Sequence, residues 1–270
     1  MNEIPAVRLA CCGEDQLRPF KKYNTWTARG ESIKPSMLFS YAYERMWLRS
    51  IRERSIHIRN FVLDSGAFTA HSSGKPIDLQ VYIDRVRWYL DNGVNPVEIF
   101  SLDVIGDWQG TKSNTERLWQ AGIEAIPAFH YGEPEDVLVG YARDYPKIAL
   151  GGAVGLPRKE KERWARQCFA RVWPKPIHGF GFGMWALEVL PFHSIDCSDW
   201  FGKAKRFGKW TAFGEIGLGL GGQNVLNTTQ AEVQTWLDYE VLMRKRWAST
   251  FNALGWIREG EYSTQQGAIR

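Results

Sequence analysis

A single-domain α/β (β/α)8 barrel of the TIM type is the fold this sequence predicts, on three observations. Strand-like and helix-like segments alternate from about residue 37 to 250 with short connections, the pattern of a parallel sheet with crossover helices. Roughly eight such units fit within the chain of 270 residues, which favours a closed barrel over an open sheet. Three apolar runs end in an aspartate: Phe61-Val62-Leu63-Asp64, Ile99-Phe100-Ser101-Leu102-Asp103 and Ser194-Ile195-Asp196. Strands that end in unpaired carboxylates are hard to explain by packing. They make sense where the C-terminal ends of barrel strands gather at one mouth.

Taken in order, residues 1–35 are irregular, although Ala6 to Cys12 has the composition of a strand. Met37 to Ala42 reads as a buried strand and is followed by a basic helix reaching about Arg54. After the Asp64 strand, Leu79, Tyr82, Ile83, Val86 and Leu90 recur at helical spacing, and Asp91-Asn92-Gly93 stops that helix. Thr111 to Gln120 is the helix after the Asp103 strand, ended by Gly122. Ala125 to His130 is the next strand and Pro134 to Tyr145 the next helix. Lys147 to Gly155 is a strand that runs into glycines, and Pro157 opens a charged helix where its missing N–H costs nothing. Ile177 to Gly183 is a glycine-rich strand and Met184 to Leu190 a short helix. Lys209 to Glu215 is the expected last strand, and a long helix from Thr229 to about Thr250 covers the outside.

Composition bounds the function loosely. A formal charge of +4 permits a nucleic-acid partner without arguing for one. No apolar run approaches the roughly 20 residues of a membrane span. Met1-Asn2-Glu3-Ile4-Pro5 lacks the features of a signal peptide, so the expectation is a cytoplasmic protein (host cytoplasm if phage-encoded) with reduced cysteines. The four cysteines have no zinc-ligand spacing, and neither a metal nor a cofactor is expected.

A mouth with three carboxylates suits glycosidic-bond chemistry. One carboxylate attacks or stabilises an oxocarbenium-like sugar carbon, and a second moves the proton. Glycines at the mouth let a flat ligand approach the backbone.

The residues also resemble those of the tRNA-guanine transglycosylase family. Leu63-Asp64-Ser65-Gly66-Ala67-Phe68 is similar to its DSGG(F/Y)Q stretch, and Leu150 to Pro157 (LGGAVGLP) to its GGLAVGE segment. Gly179 to Gly183 resembles its MGVG, and Ile195-Asp196-Cys197 its FDC. The matches run in the family's order over roughly residues 60 to 200. The resemblance implies base exchange, with Asp196 as the nucleophile that holds the sugar as an ester and Asp64 as acid/base. It implies that Asp103 binds the guanine-like edge, and that Gly151, Gly152 and Ala153 offer backbone to the base. Phe68 and His130 would complete the base site; His130 stands where the family has a Gln-Gly pair. The family's tRNA enzymes carry a CxCxxC zinc run and a His after the nucleophile strand, whereas Cys197 is the last cysteine here. The chain therefore looks more like the phage and bacterial 7-deazaguanine DNA transglycosylases. These place a base such as 7-cyano-7-deazaguanine into DNA, so DNA is the expected partner and tRNA the alternative; a homodimer is left open. Lys203, Lys205, Arg206 and Lys209, with Arg158 and Lys159, are the candidate nucleic-acid contacts.

Other readings stand beside these. Asp-Ser-Gly is a turn sequence in its own right. Asp199 competes with Asp196, and Asp107 with Asp103. His130 could be a core histidine, the paired glycines a packing device, and the lysine run a solvated loop. A carboxylate-dependent glycoside or nucleoside hydrolase and a non-catalytic guanine- or DNA-binding module are the rival functions.

Overall fold

The computed structural model describes residues 4–11, 13–198, 200–201, 209–210, 216–217 and 225–257, with backbone alone for 209–210, 216–217 and 225–228. Eight staves make one parallel barrel. They are β1 (Ala6–Cys11), β2 (Ser36–Ser40), β3 (Asn60–Asp64), β4 (Glu98–Phe100), β5 (Ala125–Ile126, continuing as Ala128–His130), β6 (Ile148–Gly151), β7 (Ile177–Gly179) and β8 (Ser194–Cys197). Each pairs with its neighbours in sequence, and β1 lies between β2 and β8. The two halves of β5 form the two ends of the sheet, one pairing β4 and the other β6, and they meet at Pro127. Proline cannot donate to a ladder, but its carbonyl still accepts from the Ala149 N–H at 2.9 Å. The sheet thus closes on itself.

The closing stave differs from the expected one. The barrel is closed by Ala6–Cys11, so it begins at residue 6 rather than 37; of the expected last strand, Lys209–Trp210 is not one of its staves, and residues 211–215 lie outside the described residues. Lys209–Trp210 pairs instead with Ile216–Gly217 in a separate two-stranded antiparallel ribbon. All six residues of β1 are buried, as a stave walled on both faces requires. The predicted glycine-rich strand from Ile177 is also shorter, ending at Gly179 before a turn through Gly181 and Gly183, both at positive φ.

The helices that the sequence predicts fall within a few residues of their expected positions, and one more, at Ala67–Ser73, was not predicted. They are α1 (Glu44–Arg52), α2 (Ala67–Ser73), α3 (Leu79–Asp91), α4 (Trp108–Gln120), α5 (Glu135–Asp144), α6 (Arg158–Val172), α7 (Trp185–Val189) and α8 (Val225–Ala253), with a short helical turn at Arg18–Lys22. In α3 the Asp78 side chain caps the first turn by accepting from the Val81 N–H at 2.9 Å. Leu79, Tyr82, Ile83 and Val86 form the buried face, each worth about 1.5–3 kcal/mol on transfer from water. Helix α8 docks through Glu240, which is buried, accepts from the Val7 N–H at 3.1 Å and forms an ion pair with Arg59 at 2.8 Å. No helix among the described residues is long and apolar enough to cross a membrane.

Alternation along the staves divides inside from outside. Ala10, Leu38, Val62, Phe100, Ile126, Ala128 and Ala149 fill the barrel, while Leu9, Met37, Phe39, Phe61 and Leu63 face the helices. Towards the strands' N-terminal ends the interior is polar. Lys147 Nζ lies 2.6 Å from Glu98 Oε1, and Arg8 lies 3.9 Å from the same carboxylate. Burial alone would raise the Glu98 pKa, but Lys147 and Arg8 outweigh it and hold it at about 2.

Candidate active site

The C-terminal ends of β3, β5, β6 and β8 and the loop after β4 bring the predicted residues to one mouth. Asp64 ends β3, where Ser40 is its register partner on β2. The chain then turns through Gly66, whose φ is +79° and where a Cβ would stand 2.7 Å from the Ala42 Cβ. Only glycine fits there. The Gly66 N–H donates to Asp64 Oδ2 at 3.0 Å, so the turn reading of Asp-Ser-Gly is realised as well. Burial, followed by the negative charge of Asp103, raises the Asp64 pKa from 3.8 to about 7. Asp196 adds to the rise, so the Asp64 carboxyl feels both of the other carboxylates.

Asp103 lies three residues beyond the end of β4 in a loop tied down by Asn114, whose amide donates to the Leu102 carbonyl at 2.8 Å. Its carboxylate accepts from Ser65 Oγ at 3.3 Å and pairs with His130 Nε2 at 2.8 Å. Asp107 does not join them: it caps α4 by accepting from the Gly110 N–H at 3.0 Å.

His130, at the end of β5, is the centre of an acidic clamp. Its Nδ1 lies 3.3 Å from Glu133 Oε1, and its backbone N–H donates to Glu133 Oε2 at 2.9 Å. Burial works against a charged ring, but Asp103 and Glu133 outweigh it and raise the pKa from 6.5 to about 9. The charged imidazolium is therefore favoured at neutral pH. It stabilises the fold fully below about pH 6.5, and this stabilisation is lost as pH rises through about 9. Glu133→Gln removes one of the two partners. The expected result is an imidazole titration displaced downwards and about 1–2 kcal/mol less stability at pH 7. Histidine NMR and denaturant unfolding at pH 6 and 10 check this; an unchanged titration would contradict the clamp.

The paired glycines serve this histidine. A Cβ on Gly151 would meet the His130 ring at 3.0 Å, and one on Gly152 (φ +69°) would meet the His130 Cβ at 2.9 Å. The Gly151 carbonyl already accepts from the Tyr131 N–H at 3.1 Å. Ala153 is buried, while Phe68 is 62% exposed on the first turn of α2.

Asp196, on β8, holds its carboxylate against the turn after β7. The Gly181 N–H donates to its Oδ1 at 2.8 Å. Arg158 and Lys159 are exposed in the first turn of α6, with the Arg158 guanidinium 5.2 Å from the Trp185 ring centre. Two residues on, Lys161 Nζ donates to the Gly181 carbonyl at 3.2 Å, which ties α6 to the turn that holds the Asp196 carboxylate. Asp199, Lys203, Lys205 and Arg206 lie outside the described residues, as does the side chain of Lys209.

Glu133, Ser65, Gly181 and His178 were not singled out from the sequence. Glu133 carried a faint signal, an acid three residues after His130 across a tight turn. His178 sits just before the glycines that drew attention to that strand.

No family model and no curated protein matches the chain. Solved structures resemble it. One is a putative fructose-1,6-biphosphate aldolase from Coccidioides immitis, with a TM-score of 0.50 and 12% identity over 90% of this chain and 92% of that one. Another is the tryptophan synthase A-subunit from Pyrococcus furiosus, with a TM-score of 0.48 and 11% identity over 86% and 97% of the two chains. At such identities the likeness is one of fold, and the chain is a (β/α)8 barrel.

Proposed function

We propose that this chain is a nucleic-acid guanine transglycosylase that replaces guanine in DNA with a 7-deazaguanine base. The observation that carries the reading is the gathering of Asp64, Asp103 and Asp196 at one mouth, with Asp64 electrostatically coupled to both of the others. Their surroundings differ, and so can their tasks. Asp64, with its pKa near 7, can give a proton and take one back. Asp196, held through one oxygen, keeps the other for attack.

In the first displacement the free Asp196 oxygen bonds to the sugar's anomeric carbon. The bond to guanine breaks, and Asp64 supplies the proton that guanine takes away. In the second, Asp64 accepts a proton from the incoming base, whose ring nitrogen bonds to the same carbon and releases the Asp196 carboxylate. Two inversions leave the sugar's configuration retained. Asp103, backed by His130 and Glu133, offers acceptor oxygens of the kind a guanine edge, with its ring N–H and amino group, requires. Drawing a base out of a duplex costs a few kcal/mol, and Phe68, Arg158 and Lys159 supply stacking and phosphate contacts to offset it.

The preference for DNA rests on the resemblance to the zinc-free branch. Labelled guanine offered with duplex DNA and with tRNA tests it: label entering DNA is expected. Label in tRNA alone would overturn the DNA preference. Abasic sugar without label would favour a hydrolase, and binding without either product a recognition module.

A further inference from the structure

We propose that His178 is the positioning residue for Asp196, an Nε2–H donor inside the barrel that fixes which carboxylate oxygen attacks. The proposal deepens the reading above and rests on Asp196 being the nucleophile.

His178 lies in β7, opposite Ser194 in the register with β8, and its side chain is fully buried. The rings of Phe100 and Phe180 stand 4.7 and 4.6 Å from it, centre to centre, and hold its plane. Its Nδ1 is 2.8 Å from Ser194 Oγ. That hydroxyl also accepts from Lys147 Nζ at 3.0 Å, and Lys147 is anchored in turn by Glu98 at 2.6 Å. A lysine ammonium has only protons to give, so Ser194 receives from Lys147 and its own proton is free to point at Nδ1. With that hydroxyl proton facing Nδ1 and the acceptor-only Asp196 carboxylate facing Nε2, we assign the ring proton to Nε2 and the acceptor role to Nδ1.

Nε2 has no hydrogen-bond partner among the described residues and stands 3.7 Å from Asp196 Oδ1. That separation exceeds a hydrogen bond, yet the proton faces a carboxylate, which can only accept. Oδ1 already receives the Gly181 N–H at 2.8 Å. Both donors therefore lie on the same oxygen, and Oδ2 is left to attack. When the ester forms, Oδ1 becomes its carbonyl oxygen and Oδ2 the atom bound to the sugar. Donors on Oδ1 favour the free carboxylate at least as much as the ester. Their contribution is therefore orientation, since a misplaced nucleophile costs as much as about 10²-fold in rate. The chain Glu98–Lys147–Ser194–His178 is thus a buried brace from the barrel's polar floor to the reacting group.

The test combines kinetics with nitrogen NMR on the full chain. His178→Leu is expected to lower kcat for base exchange about 10- to 100-fold and leave the KM for nucleic acid within about twofold. His178→Gln, which keeps an amide donor at similar reach, is expected to recover much of that loss. A purely packing role would give the opposite order, because leucine suits an apolar interior better than glutamine. In the wild type the ring should be the neutral Nε2–H tautomer. Asp196→Asn should shift the Nε2 resonance, and Ser194→Ala, which removes the donor to Nδ1, should shift that of Nδ1. An Nδ1–H tautomer in the wild type overturns the proposal even if the His178 variants do not fold. A wild type that traps the sugar as an ester while His178→Leu traps it at an unchanged rate overturns the proposal alone. A wild type that forms no ester overturns the nucleophile reading and, with it, this one.

Discussion

Asp196→Asn is expected to abolish covalent capture of the sugar and to lower base exchange by about 10⁴- to 10⁶-fold, the scale on which loss of an attacking group is felt. The substitution replaces the attacking oxygen with an amide that cannot form the ester. The remaining carbonyl oxygen can still accept the Gly181 N–H that Asp196 Oδ1 receives now, at 2.8 Å. The barrel should therefore keep its melting temperature, and the loss can be assigned to chemistry. The check is a denaturing gel of enzyme incubated with guanine-containing DNA and, separately, tRNA. A shifted band is expected from the wild type and none from the variant. If the variant were captured as well as the wild type, Asp196 would not be the nucleophile, and Asp64 would be the next carboxylate to test.

The three aspartates were legible in the sequence because each ends an apolar run that a stave must bury, and a stave's end points at the mouth whatever its neighbours. The closing stave was not. Ala6–Cys11 stands in a stretch, residues 1–35, that reads as irregular, and the ribbon residues Lys209–Trp210 have equally strand-like composition. Choosing between them requires the register with Ser36–Ser40 and Ser194–Cys197, a long-range property absent from any window of sequence. Gly151 and Gly152 were recognisable as glycines with a purpose. That their purpose includes room for the His130 side chain emerges only once β5 and β6 lie side by side. His178 was hidden for a related reason. A buried histidine beside glycines looks like core until Ser194 on β8 and Lys147, just ahead of β6, set which nitrogen carries the proton.

Asp64→Asn should separate two effects that usually travel together, with activity falling while stability rises. The folded-state pKa of about 7 lies above the ordinary 3.8, so between roughly pH 4 and 7 the folded protein holds a proton that the unfolded chain has lost. Stability therefore falls as pH rises through that window, and above it the full cost of burying the charge is present. At 1.36 kcal/mol per pH unit, that cost is at most about 4 kcal/mol. Asparagine never ionises, so the variant should be more stable than the wild type at pH 8, by about 1–4 kcal/mol, and nearly equal to it at pH 4. His130 titrates higher, towards 9, so its loss of stability falls in a later window and both proteins share it. Base exchange in the variant should drop by about 10²- to 10⁴-fold, because neither the departing guanine nor the incoming base has its proton carrier. In the wild type, guanine release should slow about tenfold per pH unit above 7 as the acid form is lost, and the variant's residual rate should lack that dependence. Paired urea unfolding and single-turnover rates at pH 5, 6, 7 and 8 read both effects. A variant no more stable than the wild type at pH 8 would mean that the Asp64 charge is not the buried liability its surroundings make it, and the acid/base assignment would lose its basis.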